Sequence, residues 1–394
     1  MGRVVALITL LIVASCDAAT PIPTSTSPPP SVTPAIGLPN RLSSFPRPPQ
    51  DNGWGVHWAP TLFAQPPEVV DYFVGEAQTM GIKWVKFLNG DSDKLDHAHL
   101  VRTLVAHGMM PVMRVYQPFN EPYEHLAALT RAALPLGVRY IELYNEPNVA
   151  GRAGGWRDGE AISATRIAEL WVPAADAVTQ AGGYPGLPSL APGGDYDDLQ
   201  FLRDFLDELK ARGRADLLQR AWLPLHNYFL NHPLAYPNDD VNLHNTPLAA
   251  DEIARRRLSA EQIAAINTAR LNARLPRAQG GYFVSDSIHG DSNGFRKFEA
   301  YEHIVVERVG FEIPIISTEG GAIAGAHEDP RYPPMTDDDV TTTTLAAYRT
   351  MIESAPAYYF AFTPWLLANA AGGHSDPRFE AHAWYKDRLG TTLP

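Results

Sequence analysis

The chain has 394 residues, 45% hydrophobic and 19% charged, the make-up of an ordinary soluble globular protein that one large domain or two modest ones would satisfy. Its 32 basic and 44 acidic residues, net charge −12, argue against nucleic acid or an anionic membrane surface as the main partner, because phosphate binding needs clustered Lys and Arg. The single cysteine, Cys16, excludes a disulfide within the chain and any metal site built on thiolates.

In chain order, Arg3 precedes an apolar run, 4–14, too short to span a bilayer and shaped like a signal-peptide core. Val13-Ala14-Ser15-Cys16 resembles the bacterial lipobox, in which the cysteine becomes the lipidated first residue; the other reading is a plain signal peptide cut near Ala19. Either way the expected location is outside the cytoplasm, lipid-anchored or secreted. Pro, Ser and Thr dominate the stretch from Thr20 to about Gln50, which cannot bury a core and reads as a tether. The expected organisation is therefore a leader at 1–16, a linker at 17–50 and a catalytic domain at 51–394.

From Asn52 onward short β-rich runs alternate with helical patterns, which implies βα units and a parallel sheet. Strands are expected at 53–58, 83–88, 111–116, 138–145, 188–191, 222–226, 313–318 and 358–364, the fifth being the weakest. Helices are expected at 67–80, 95–107, from near Pro122, and at 162–180, 199–212, 251–273, 296–309 and 340–354, with a last helical stretch running to the C-terminus. The largest insertion, about 230–300, follows the sixth strand. Eight strands with eight crossovers predict an α/β fold of the (β/α)8 TIM-barrel type, whose chemistry sits at the carboxyl ends of the strands.

Two expected strands end in a glutamate: Tyr144-Asn145-Glu146-Pro147 on the fourth and Thr318-Glu319-Gly320-Gly321 on the seventh. The two strands lie opposite each other in an eight-stranded barrel, so the carboxyls face across its mouth. Glycosidic hydrolysis needs such a pair, one group to protonate the leaving oxygen and one to meet the anomeric carbon. This pattern resembles the clan A glycoside hydrolases, the barrel superfamily that includes family 5 cellulases and mannanases, over residues 52–390. The resemblance implies a retaining hydrolase of O-glycosidic bonds, with Glu146 as acid/base, Glu319 as nucleophile and Asn145 binding the sugar 2-hydroxyl. The acid role requires Glu146 to carry a proton while Glu319 stays ionised.

His226-Asn227-Tyr228 resembles the family's His-x-Tyr, which implies that Tyr228 bonds the nucleophile and His226 the substrate or the acid/base. Trp365 resembles the platform beneath the reacting sugar. Arg114 is placed to hydrogen-bond Glu319, although the family more often draws that arginine from the second strand, where this chain has Lys86. His57 is expected to line the pocket. The bland readings are salt-bridge partners for the glutamates, a structural pair for His226 and Tyr228, core for Trp365, and scaffolding for Arg114 and His57. A second Asn-Glu-Pro, at Asn120-Glu121-Pro122, reads as the start of a helix with Glu121 as a first-turn acid.

No cofactor or metal is expected: the first strand lacks a His-x-His, and the 13 histidines form no ligand cluster. Expected partners are a carbohydrate, a membrane only through the N-terminal lipid, and no nucleic acid; a monomer is expected. The eight Trp and sixteen Tyr suit stacking on sugar faces. The competing function is a surface glycan-binding lipoprotein on an inactive barrel, and a transglycosylase would use the same residues. The sugar, its linkage and endo or exo action are not legible in the chain.

Overall fold

The computed structural model describes residues 41–369, 377–386 and 391–392. Cys16, the leader and most of the tether lie outside the described residues. One compact unit begins at Arg41. Its strands and helices alternate: β1 Gly55–His57, α1 Pro67–Thr79, β2 Trp84–Gly90, α2 Ala98–Ala106, β3 Met110–Tyr116, α3 Leu126–Ala133, β4 Tyr140–Glu142, α4 Ala164–Ala181, β5 Tyr184–Pro185 and α5 Asp198–Ala211. Then come β6 Leu223–Tyr228, three helices (α6 Asp240–His244, α7 Ala250–Arg256, α8 Ala260–Leu271), α9 Lys297–Val309, β7 Ile315–Gly321, α10 Asp337–Glu353 and β8 Tyr359–Phe362. This is an α/β fold with parallel strands.

The strands form two sheets, β1-β2-β3-β4-β5 and β6-β7-β8. Two parallel bridges link the sheets, Gly186–Trp222 from just after β5 to just before β6, and Trp54–Phe362 from just before β1 to the last residue of β8. Apolar residues fill both faces of the strands, as crossover helices require. Local chemistry explains the helix starts. Ser163 and Asp197 cap α4 and α5 by accepting backbone N–H bonds, and Thr336 with Asp339 forms a capping box on α10.

Several expectations need correction. The expected helix 251–273 is two helices, because Arg257 turns left-handed (φ 51°) and Ser259 with Gln262 caps a new start. The fifth strand lies earlier than 188–191, and the fourth is shorter than expected. Among the described C-terminal residues, a 3-10 turn at Pro377–His382 and two short antiparallel strands, β9 Tyr385–Lys386 and β10 Thr391–Thr392, stand where a helix was expected. Residues 41–50, expected in the tether, belong to the packed unit: Leu42 and Phe45 bury themselves against Trp84, Met110, Tyr140, Trp222 and Phe360 at the amino-terminal ends of the strands. Among the described residues no helix is long and apolar enough to cross a membrane.

The helix layer carries one buried ion pair. Lys297, fully enclosed at the start of α9, meets Asp198 at the start of α5, and Tyr301 donates its hydroxyl to the same carboxylate at 2.7 Å. Asp198→Ala leaves a buried ammonium unpaired and is expected to cost about 3–5 kcal/mol of stability. Urea denaturation of the variant against wild type measures it.

Candidate active site

The carboxyl ends of β2, β3, β4, β6 and β7 bring their polar side chains to one place. Glu319 is central. Its Oε1 accepts from Lys86 Nζ at 3.0 Å and from Arg114 at 2.7 Å, and its Oε2 accepts from the Tyr228 hydroxyl at 3.0 Å. His226 Nδ1 lies 2.8 Å from Glu146 Oε1, while its Nε2 lies 3.9 Å from both Glu319 and Glu142. One oxygen of Glu146, one of Glu319 and a His226 nitrogen all fall within 4.8 Å of one another.

Glu319 reaches this position through an irregularity in β7. Pairing runs Leu225 to Ser317, then His226 to Glu319, so Thr318 is an extra residue. A bulge resets which face the following side chains take. Ser317 turns its hydroxyl to Asn227, on the face opposite His226, and Glu319 turns to the side of His226 and Lys86. Gly320 follows at φ 152°, where an added Cβ would meet Asn227 Oδ1 at 2.5 Å. Only glycine fits there.

Glu146 is set by a different device. Strand β4 stops at Glu142, and Tyr144 and Glu146 both take left-handed backbone (φ 53° and 50°), uncommon for residues with side chains. The turn is held at several points: Glu146 N–H donates to Ser189 O at 2.7 Å, Tyr144 N–H donates to the Tyr123 hydroxyl at 3.0 Å, and the Tyr144 hydroxyl donates to Glu121 O. The second Asn-Glu-Pro therefore belongs to the scaffold. Asn120 clamps the 151–155 turn through Gly154 O, and Glu121 pairs with Arg157. Helix α3 begins only at Leu126, so Glu121 is not a first-turn acid.

The other expected residues divide. Asn145 accepts from Arg114 at 2.5 Å and stands beside the carboxyl pair. Trp365 packs its ring edge against His57, centroids 4.3 Å apart, with Tyr228 adjoining. His57 is fully buried beneath it, both ring nitrogens without a hydrogen bond among the described residues, so it does not line the open cavity as expected. Lys86, noted in the sequence only as a departure from a pattern, is a direct partner of Glu319. A lone lysine inside Trp84-Val85-Lys86-Phe87-Leu88 was its signal, since a buried ammonium needs a carboxylate. Glu142 is equally buried, 3.8 Å from Lys86 and bonded by Ser189 at 3.1 Å.

These contacts fix the charges. Burial opposes ionisation of Glu319, but Lys86, His226 and Arg114 outweigh it and hold its carboxyl well below the usual range. Burial likewise opposes protonation of His226, but Glu319, Glu142 and Glu146 outweigh it and push the imidazole up to about 9. A base whose folded pKa exceeds its unfolded value gives full stabilisation below about pH 6.5, lost as pH rises through 9. Stability is therefore expected to fall by roughly 3 kcal/mol between pH 6.5 and 9.5. Urea titrations at both pH values check this, and His226→Gln should flatten the dependence.

Glu146, His226 and Glu319 also have the spacing of a metal site. The donors do not fit one: Glu319 Oε1 already accepts from two cations, and His226 Nδ1 is committed to Glu146. What the arrangement offers chemically is a carboxylate held ionised by its cations, facing a second, quarter-exposed carboxyl with a proton donor at hydrogen-bond distance.

The sequence matches no protein-family model and no curated protein. Among solved structures it is similar to XacCel5A, determined also in complex with cellopentaose, at 12% identity and TM-score 0.38 over 80% of this chain and 88% of that one. The carboxyl transferase domain of Rhizobium etli pyruvate carboxylase gives 11% identity and TM-score 0.30 over 44% of this chain, which spans only 27% of that one. Flavobacterium johnsoniae chitobiase gives 15% and 0.29 over 65% and 52%. Likenesses this low decide neither fold nor activity.

Proposed function

We propose that this chain is a retaining glycoside hydrolase on a closed (β/α)8 barrel, with Glu319 as nucleophile and Glu146 as acid/base. The bridges Gly186–Trp222 and Trp54–Phe362 support closure. The observation that carries the chemistry is the approach of the two carboxyls, an oxygen of each within 4.8 Å. Retaining enzymes keep the pair roughly 5–5.5 Å apart, whereas inverting ones need about 6.5–9.5 Å to seat a water.

In this reading Glu319 attacks the anomeric carbon as the glycosidic C–O bond breaks, and Glu146 gives its proton to the leaving oxygen. The His226 Nδ1 to Glu146 Oε1 contact keeps a proton within reach. Water then adds from the Glu146 side, returning a proton to Glu146 and releasing Glu319. Lys86, Arg114 and Tyr228 hold the nucleophile ionised and aimed; Asn145 and Trp365 bind the reacting sugar.

Proton NMR of the first product formed from a panel of aryl glycosides tests this. The released sugar should keep its anomeric configuration. Inversion would remove the mechanism, and glycan binding without hydrolysis across the panel would favour the surface-binding alternative. We also propose lipid attachment at Cys16, for which Cys16→Ser should abolish palmitate labelling in a bacterial host.

A further inference from the structure

The insertion after β6 builds a wall. With the segments after β5 and β7 it encloses a cavity of about 520 Å3 that reaches Glu146 and Tyr228. Glu319, Lys86, Arg114 and Trp365 are not among its lining residues. The cavity thus opens on the side of the acid/base. A group that protonates the leaving oxygen must stand beside the leaving group, so that side receives the portion of substrate being expelled.

The wall is fixed before anything binds. Arg331, fully buried behind it, donates two arms to Asp329 and a third to Asn242 Oδ1 at 2.7 Å. Asn231 Nδ2 donates to Asp329 O at 2.8 Å. The His232 ring stacks on Tyr236 at 3.7 Å, its Nδ1 2.6 Å from Asn293 O and its Nε2 3.1 Å from Asp329. The insertion is thereby tied to the segment after β7, which spares a ligand the cost of ordering it.

The lining also has a sign. Asp291 and Glu328 join Glu146 there, Asp329 is matched by Arg331 behind the wall, and among the described lining residues Arg277 is the one fixed cation. Tyr282 and Val284, both substantially exposed, supply apolar surface on the same wall.

We infer that this cavity is the leaving-group subsite and that it selects a neutral sugar over a uronic acid, the Tyr282 face packing the ring and the Asp291 and Glu328 carboxylates repelling a second anion. The inference rests on the glycosidase reading above. Like charges brought together across a partly enclosed surface discriminate strongly between partners.

The test uses three substrates with the same glycone: a disaccharide with a neutral hexose leaving group, its hexuronic acid counterpart, and the glycosyl fluoride, whose leaving atom is too small to reach the wall. Wild type should prefer the neutral disaccharide to the uronic one by at least about tenfold in kcat/KM, and Glu328→Lys should narrow that ratio. Tyr282→Ala should lower the disaccharide-to-fluoride ratio of kcat/KM about tenfold. Equal loss on fluoride and disaccharide, an unchanged ratio in both variants, or no discrimination by wild type would overturn the inference. Wild type inert toward the fluoride as well would remove the glycosidase reading, and this inference with it.

Discussion

Glu319→Ala is expected to lower kcat on the order of 10^5-fold or more, the scale seen when a covalent nucleophile is removed. The loss follows from geometry. Among the described residues no other carboxylate can take its place: Glu142 is wholly buried and committed to Lys86 and Ser189, and Glu146 faces the cavity proposed for the leaving group. The vacancy should admit a small anion, because Lys86 and Arg114 lose the carboxylate oxygen they share and only Glu142 remains, beside Lys86. Added azide should restore part of the turnover and yield a glycosyl azide of inverted configuration, since it enters from the face that Glu319 vacated. The variant also leaves two buried charges without their carboxylate, so circular dichroism should accompany the kinetics, with Glu319→Gln as the volume-preserving control. Turnover near wild type in a folded Glu319→Ala protein would end the assignment.

Glu146→Ala is expected to cost about 10^2–10^4-fold in kcat/KM with substrates whose leaving oxygen needs a proton, the range of general acid catalysis. An activated aryl glycoside leaves without that help, so its first step should hardly slow. The covalent intermediate should then accumulate, because no base remains to activate water, giving a burst followed by a low steady rate. Azide should again accelerate turnover, but entering from the Glu146 side it should give a product of retained configuration. The opposite stereochemistry of the two rescues distinguishes the two carboxyls by role. Equal losses on activated and unactivated substrates would assign Glu146 a structural part.

Much of this site was legible in the sequence because strand ends advertise themselves: Asn145-Glu146-Pro147 and Glu319-Gly320-Gly321 close apolar runs, and β6 ends in His226-Asn227-Tyr228. Lys86 was equally readable as a solitary charge in an apolar strand, yet its meaning depended on which carboxylate it would meet, and that is a property of the sheet. The fifth strand was hard to place because Tyr184-Pro185-Gly186 offers little β propensity, and only two of its residues pair in register. Its downstream loop, expected as the strand, instead supplies Ser189 to hold Asn145 and Glu146. Leu42 and Phe45 were hidden by their Pro-rich surroundings, whose composition says tether while two side chains say core. The wall around Arg331 and Asp329 joins segments about 90 residues apart, so no local pattern announced it.

The extra residue in β7 has a consequence for how this protein tolerates change. Substituting Thr318 alters one buried hydroxyl, and deleting it sets Glu319 directly after Ser317, where ordinary alternation by itself keeps the carboxylate on the side of His226 and Lys86. A shortened strand should therefore fold with Glu319 still held by Lys86 and Arg114 and keep its turnover. What the spare residue provides is freedom for Ser317 and Glu319, two positions apart, to serve opposite faces of one sheet.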